Sequence, residues 1–509
     1  FLASATDLYL ASADGSSWSN GTTTAFSRFC SGDLAAATAF RDGVTGYDGR
    51  IYLTGEEAGV EGRAFAHVIT GSDAGKVYEL ASLGNLSFEN VVANPLAQAK
   101  TVVASLDDTI TNGQVYVYVG SKSATGNAVE QAGLVGGITY GVRVNSAGTT
   151  NTEVGSLASP NETGLGLNGS GVGTFELVNL GDVKAKTGAT LNSESITAGG
   201  TNWLRPEDGA WSKDGKTFYF VTTATTASAS RLWALEFTNP SNPELGGTVR
   251  MLLNGSEGQM MLDNMTVADD GSILLQEDPG NNARLAKIWR YNPGSDTLVE
   301  LAQHNPALFS GSGAITLDEE SSGIVDISSF LTGVSGYDTS KYSYFLIADQ
   351  IHKAVASPTS QVEMGELSVM ATAKPAANQQ IVDEATAFPA QEYLVGTEGR
   401  AVFREVMDAG ELAANGYRFN GIPDGIGVMD NGDGTLRVLV NHELGSTSGD
   451  VRAHGSKGAY VSDLTIDKAT LSVVSGKDFL ASATDLYLAS ADGSSWSNGA
   501  TTAFSRFCS

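Results

Sequence analysis

A thiol and a set of carboxylates gathered at strand ends are the groups in this sequence best suited to chemistry. Cys30 lies in RFCSGDL (28–34), and the β-type run GRIYLTGEE (49–57) that follows ends on adjacent acids, Glu56 and Glu57. Asp208, Asp263, Glu277, Asp278, Asp424 and Glu443 repeat the theme farther along, each at the edge of an apolar run. Hard oxygen donors in this number suit Ca2+, and one thiolate among them suits a transition metal such as iron. Each residue taken singly has a plainer use, because Asp and Asn serve turns and strand ends and a lone cysteine fills a small core site. The metal reading therefore depends on whether the fold brings these groups together.

The elements that carry the acids read as hairpins. In LDNMTVADDGSILLQED an Asp270-Gly271 turn predicts Asp263 opposite Asp278 and Asn264 opposite Glu277. A turn at Asp433-Gly434 sets Asp424 opposite Glu443, and one at Asp214-Gly215 brings Glu207 and Asp208 beside Val221 and Thr222. In all three the acids collect at the open mouth of the hairpin, away from its turn. Most of the remaining chain alternates strand and turn in the same way, and its 61 glycines suit many short strands joined tightly. Residues 145–200 are Gly/Ser/Thr/Asn-rich and are expected to form a long loop or small insertion. Helical periodicity is weak and strongest at 405–414.

Hairpins repeated over several hundred residues fit an all-β fold of the β-propeller kind, in which innermost strands surround a central channel and place side chains from different blades on one axis. Carboxylates meeting there would repel one another, and cations relieve that repulsion. The balance of 30 basic against 57 acidic residues, net −27, argues against nucleic acid or an anionic membrane surface as partner. No apolar run is long enough to span a bilayer. Low lysine content fits a mature secreted, periplasmic or cell-surface protein.

Residues 1–31 recur at 479–509 with a single change, Thr22 to Ala500, so the repeating unit is 478 residues long and Cys30 and Cys508 are one cysteine seen twice. The chain therefore reads as one unit in permuted order, 1–509, with one segment present in duplicate. One copy is expected to complete the unit and close its ring; the other is surplus or offers self-association with a neighbouring molecule.

RFCSGDL, GRIYLTGEE, NLSFENV, VASLDD, NWLRPEDGAW, LDNMTV with LLQED, and DEESSGIVDIS follow one another in an order that resembles the PhoX-type alkaline phosphatases, over most of residues 28–326. PDG to VNHE (423–443) resembles the start of the same unit. The resemblance implies a six-bladed propeller whose axial site holds iron (Fe3+) and calcium (Ca2+) and hydrolyses phosphate monoesters. By position it implies Cys30, Glu56, Glu57 and Glu89 on the iron side, with Glu207, Asp208, Asn264, Glu277 and Asp278 divided between iron and calcium. The chain departs from that pattern at Phe88-Glu89, where many relatives have His-Glu, and at Ala58-Gly59 after the acidic pair.

With metals as the electrophile no serine nucleophile is needed, and the sequence has no GxSxG elbow or Walker-type loop. Arg205 is the candidate for binding a phosphate oxygen, with an ion pair to Glu207 or Asp208 as its plainer role. His442 is open to metal binding, proton transfer or capping. His67, His304, His352 and His454 lack ligand spacing and are expected to be structural or solvated, and Asp318-Glu319-Glu320 is open to donating a ligand, with a solvated turn as its plainer role. Two further readings stand beside the phosphatase: a phytase-like or lactonase-like calcium hydrolase, and a non-catalytic surface or filament protein stiffened by calcium.

Overall fold

The computed structural model describes residues 8–11, 18–20, 27–57, 59–144, 149–157, 162–374, 393–445, 447–482, 487–489, 496–498 and 505–506, with side chains from residue 31 to residue 482. The chain is all-β with a propeller-like arrangement of sheets. Its main sheets are antiparallel, in a chain order that runs outward from an inner strand. One holds Glu319–Asp326, Tyr342–Ala354, Glu363–Ala373 and Ala401–Asp408; the next holds Pro423–Asp430, Thr435–His442, Tyr460–Asp467 and Val473–Asp478. Leu262–Val267 begins a third and Ser27–Leu34 is the inner strand of a fourth. Phe88–Ala93 and Pro206–Trp211 are the two ends of a nine-stranded sheet, which is continuous because Val172–Asn179 pairs with a strand on either side.

The turns form as their chemistry requires. Gly215, Gly271 and Gly434 follow aspartates in the three hairpins and take positive φ, +62°, +82° and +92°, which a residue with a Cβ resists. Strands such as Val115–Ser121 (VYVYVGS) are buried on both faces except at the last residue. Side chains from adjoining sheets cover each face, so the sequence there is nearly continuously apolar rather than alternating. Trp203 stands edge-on to Trp233 and Phe220, with ring centroids 5.0 Å apart in each case, and helps fill one such layer.

Six strands form a closed circuit of neighbours: Ser27–Leu34, Phe88–Ala93, Pro206–Trp211, Leu262–Val267, Glu319–Asp326 and Pro423–Asp430, the last returning to the first. Each carries a bulge near its start. The register shifts between Phe29 and Gly32, Pro206 and Gly209, Leu262 and Met265, Ser321 and Ile324, and Pro423 and Ile426, and opposite Phe88 to Val91 in the remaining strand. A bulge adds an unpaired residue and re-aims its side chain. Backbones approach closely around the circuit, so that a Cβ on Gly323 would lie 2.6 Å from the Asp424 carbonyl oxygen and one on Gly425 2.6 Å from the Gly32 nitrogen.

These bulges correct the expected registers. Glu277 pairs with Leu262 rather than Asn264, His442 with Pro423, and Thr222 with Pro206. The turns are as expected; the extra residue beyond them displaces the acids from simple cross-strand pairs. Residues 401–408 are a strand, so the helical periodicity of 405–414 does not form a helix. Within 145–200 lie a strand, Val172–Asn179, and a helix, Gly188–Thr197 capped by the Thr187 side chain. Ser27–Leu34 of the first repeat copy takes the inner place, and Ser505–Arg506 of the second lies parallel beside it, Ser27 facing Ser505 and Arg28 facing Arg506. Among the described residues no helix is long and apolar enough to cross a membrane.

Candidate metal centre

The bulges deliver acids to the middle of the circuit. Glu89, Glu207, Asp263 and Asp424 sit on four different inner strands and are at most 1% exposed. Glu57 follows the Ile51–Glu56 strand, Asp278 follows Ile273–Glu277, and Glu320 is the second residue of its own inner strand. Each of these seven acts electrostatically on at least one other. Carboxylate oxygens of Glu89, Glu207 and Asp108 lie within 4.8 Å of one another.

Burial first, and then the charges of Glu207, Asp263 and Glu57, hold the Glu89 carboxyl well above the usual range. Asp263 is raised by burial, Glu207 and Glu320; Asp424 by burial and Glu320, against a hydrogen bond from Ser322 that lowers it. Burial and Glu320 push Asp278 up to about 7. Two cations built into the chain oppose this charge. Arg205, in the left-handed region at φ 57°, donates from Nε and Nη2 to Asp108 at 2.9 Å each, and its Nη2 lies 2.5 Å from Glu207 Oε1. Burial works against its charge, but Glu207 and Asp108 outweigh it. His352 pairs with Glu363 at 2.8 Å and approaches Glu320 at 3.7 Å; burial opposes its proton, yet Glu320 and Glu363 raise it to about 11.

Seven acids facing two cations leave oxygens uncompensated. Glu89 Oε2, Glu207 Oε2, Asp263 Oδ1, Asp424 Oδ2 and Asn264 Oδ1 are buried without a hydrogen-bond donor, while Glu207 Oε1 meets Arg205 as an ion pair. Every one of these five atoms is an acceptor, which is the pattern a cation satisfies and added water or protein donors would otherwise have to meet. The donor set is hard oxygen and fits calcium or ferric iron. Cys30 lies on the Ser27–Leu34 strand, but its side chain is outside the described residues, as is Cys508.

Other acids singled out in the sequence are held by arginines. Arg63 donates to both oxygens of Glu56, at 2.7 and 2.9 Å, and Arg284 to both oxygens of Glu277, at 2.8 and 2.6 Å, with Trp289 Nε1 adding 2.8 Å. Glu56 and Glu57 point apart because successive side chains alternate along a strand. Asp208 is satisfied differently: Oδ1 accepts from Asn90 at 2.5 Å and from the Gly209 N–H at 2.6 Å, and Oδ2 from the Met265 N–H at 2.9 Å. It thus ties three consecutive inner strands together. Burial raises it to about 6 against those bonds. Asn264 donates to Ser31 Oγ at 2.8 Å, and Ser31 donates to Glu89 Oε1 at 3.1 Å, crossing the circuit. Ser31, Asn90, Asp208 and Asn264 line a cavity of about 510 Å³ that runs along the inner strands to Lys213, Asp269 and Asp326.

Glu443 is buried with Oε1 lacking a donor. His442 stacks on Tyr460 at 4.3 Å, with Nε2 2.7 Å from Ser462 Oγ and Nδ1 3.2 Å from the Gly421 carbonyl oxygen; burial lowers it to about 3, so it is a neutral packing group. Glu319 and Glu320 are 1% and 3% exposed and not a solvated turn. The sequence gives Asp108 no role, leaves Glu320 between a ligand and a solvated turn, and expects His352 to be structural or solvated. An acid or amide pair recurs at the bulge of three inner strands, as Glu89-Asn90, Glu207-Asp208 and Asp263-Asn264, and Ser322-Gly323 holds the same place after Glu320.

No family model matches the sequence, and no curated protein matches it. Among solved structures the chain is similar to Pseudomonas fluorescens PhoX in complex with vanadate, at TM-score 0.40 and 9% identity over 76% of this chain and 75% of that one. It is also similar to Kuenenia stuttgartiensis hydrazine synthase, at TM-score 0.34 and 9% identity over 80% and 76%, and to oligopeptidase B from Leishmania major, at 0.31 and 10% over 89% and 49%. These proteins bear unlike names, and no function is taken from them.

Proposed function

We propose that this chain is a metal-dependent hydrolase of phosphate monoesters, built as a six-bladed β-propeller with calcium and iron held on its axis, and that it works outside the cytoplasm. The observation that carries the reading is the set of buried axial oxygens without donors, contributed by four separate inner strands. Glu89, Glu207 and Asp263 would hold one part of the cluster, and Asp278, Glu320 and Asp424 another, with Glu57 between them. Cys30 would complete the iron side. Glu56 and Glu277, carried by their arginines, would position neighbours rather than bind metal.

Bound cations supply charge neutralisation for a phosphate dianion and activation of water at neutral pH. The chain's own groups prepare the place. Arg205, fixed by Asp108 and Glu207, keeps a positive charge beside the acids and offers a phosphoryl oxygen a guanidinium partner. His352, between Glu320 and Glu363, serves as a charge partner for those acids. Ser31 fixes the Glu89 carboxyl from one oxygen and leaves the other open.

Elemental analysis of the purified protein, read with p-nitrophenyl phosphate turnover before and after chelation, tests the proposal. Iron with calcium and chelator-sensitive turnover support it. Calcium with hydrolysis but no iron supports the phytase-like or lactonase-like reading, and calcium without hydrolysis supports the non-catalytic one. A Cys30→Ser, Cys508→Ser double variant should lose iron and turnover while keeping its fold; full turnover there removes the thiolate from the site.

A further inference from the structure

A second cluster of buried acceptors lies away from the axis, between the sheet that begins at Leu262–Val267 and the one that begins at Glu319–Asp326. The Ile273–Glu277 strand of the first adjoins the Glu319–Asp326 strand of the second. Because side chains alternate, Glu320 turns toward the axial acids and Glu319 turns the other way. Ser321 pairs across the sheet with Asp349, so Glu319, Ser321 and Asp349 share one face. Gln276 reaches this face from the neighbouring sheet, its Nε2 donating to Ser321 Oγ at 2.6 Å. His304 Nε2 lies 2.9 Å from Asp349 Oδ1, and its Nδ1 lies 3.3 Å from the Ala286 carbonyl oxygen.

Glu319 is 1% exposed, and Gln276, His304 and Asp349 are fully buried. Four oxygens here, both of Glu319, Asp349 Oδ2 and Gln276 Oε1, have no hydrogen-bond donor in proper geometry. The backbone N–H groups of Ala286 and Glu319 itself lie near enough to favour the ionised Glu319, but not to satisfy it. The charged groups acting here are His304, Glu319, Asp349 and, from the axial side, Glu320. Two carboxylates and an amide oxygen thus face one imidazole.

We propose that Glu319, Asp349 and Gln276 bind a calcium ion that clamps these two sheets together, with His304 orienting Asp349 from outside the coordination shell. The donors are oxygen only, which selects a hard cation, and both ring nitrogens of His304 already face acceptors, so the imidazole is not free to ligate. This ion is structural and independent of the axial centre: it joins neighbouring sheets without contacting substrate.

Calcium equivalents per chain, measured on the full-length protein after gel filtration, and melting temperature in calcium and in chelator, test this. Glu319→Gln, an isosteric change, is expected to remove one calcium equivalent and to shrink the calcium-dependent rise in melting temperature, with p-nitrophenyl phosphate turnover unchanged. Asp349→Asn should do the same. Gln276→Leu, which removes one oxygen and leaves both acids, should weaken calcium binding about tenfold and serves if the acid variants fail to fold. A Glu207→Gln background separates the two centres, because Glu319→Gln must still remove one equivalent there even if the axis holds no metal. Folded Glu319→Gln and Asp349→Asn variants that retain the parent's full calcium count would overturn the proposal, as would a Gln276→Leu variant that binds calcium as tightly as the parent. The first outcome would mean Glu319 is carried as a neutral acid.

Discussion

Glu56 and Glu277 differ from their sequence neighbours Glu57 and Asp278 in one respect: each is gripped through both oxygens by an arginine in the connection to the next strand, seven residues further along the chain in both cases. Glu57 and Asp278 instead face acids from other strands. A buried carboxylate must be compensated, and the molecule uses two solutions a single residue apart. Where the countercharge is covalently part of the chain, the acid is architectural. Where acids from several strands face one another, a bound cation would add to it.

The largest effect should come from the axial acids. Glu89→Gln and Glu207→Gln are expected to empty the axis and cut p-nitrophenyl phosphate turnover by at least about a hundredfold, read by elemental analysis and by that hydrolysis. If either variant keeps its metals, the distinction between the two classes of acid is lost.

Removing the metals should expose the same difference through pH. Asp208 and Asp278 hold their protons up to about 6 and about 7, and Glu89, Glu207 and Asp263 are also raised. The folded chain therefore binds more protons than the unfolded one across this range, so stability is full below the ordinary carboxylate range near pH 4 and is lost as pH rises through these values. The chelated protein should melt higher at pH 5 than at pH 8, while the metal-loaded protein should be flatter. A chelated protein that melts alike at both values would mean the axial acids are neutralised from within.

On the compensated side, Arg63→Met should leave the metal content intact but destabilise the fold by about 3 kcal/mol, because it strands Glu56 without its partner. Denaturant unfolding measures the loss, and an accompanying loss of metal would place Glu56 in the centre. Ser31→Ala frees one oxygen of Glu89 from its donor and should weaken metal binding roughly tenfold, without the loss of turnover at saturating metal expected for Glu89→Gln. Asp433→Ala, at an exposed hairpin turn, should change neither metal content nor melting temperature measurably.

Much of the strand pattern was legible without coordinates. Asp-Gly turns announce themselves because the glycine must take positive φ, and Asp214-Gly215, Asp270-Gly271 and Asp433-Gly434 all form where expected. The clustering of Glu207, Asp263, Asp278 and Asp424 followed from hairpins whose open ends point one way. The bulges were not legible, since an inserted residue leaves the hydrophobic pattern on either side intact and only shifts the register between them. That is why the turns alone set Asp263 opposite Asp278 and Asp424 opposite Glu443, whereas the bulges re-aim Asp263 and Asp424. The partners of Glu56 and Glu277 were equally hidden: Arg63 and Arg284 lie on the return of each strand, and their reach depends on side-chain direction.

Residue types, turns and the abundance of short strands belong to the sequence alone, because local sterics and hydrogen bonding set them within a few residues. Which acids meet one another is a different kind of fact. It depends on strands separated by tens to hundreds of positions closing into one circuit, as Glu57 and Asp424 do, and on the low dielectric inside, which makes each missing donor count. Only the folded chain separates Glu56 from Glu57 and Glu319 from Glu320.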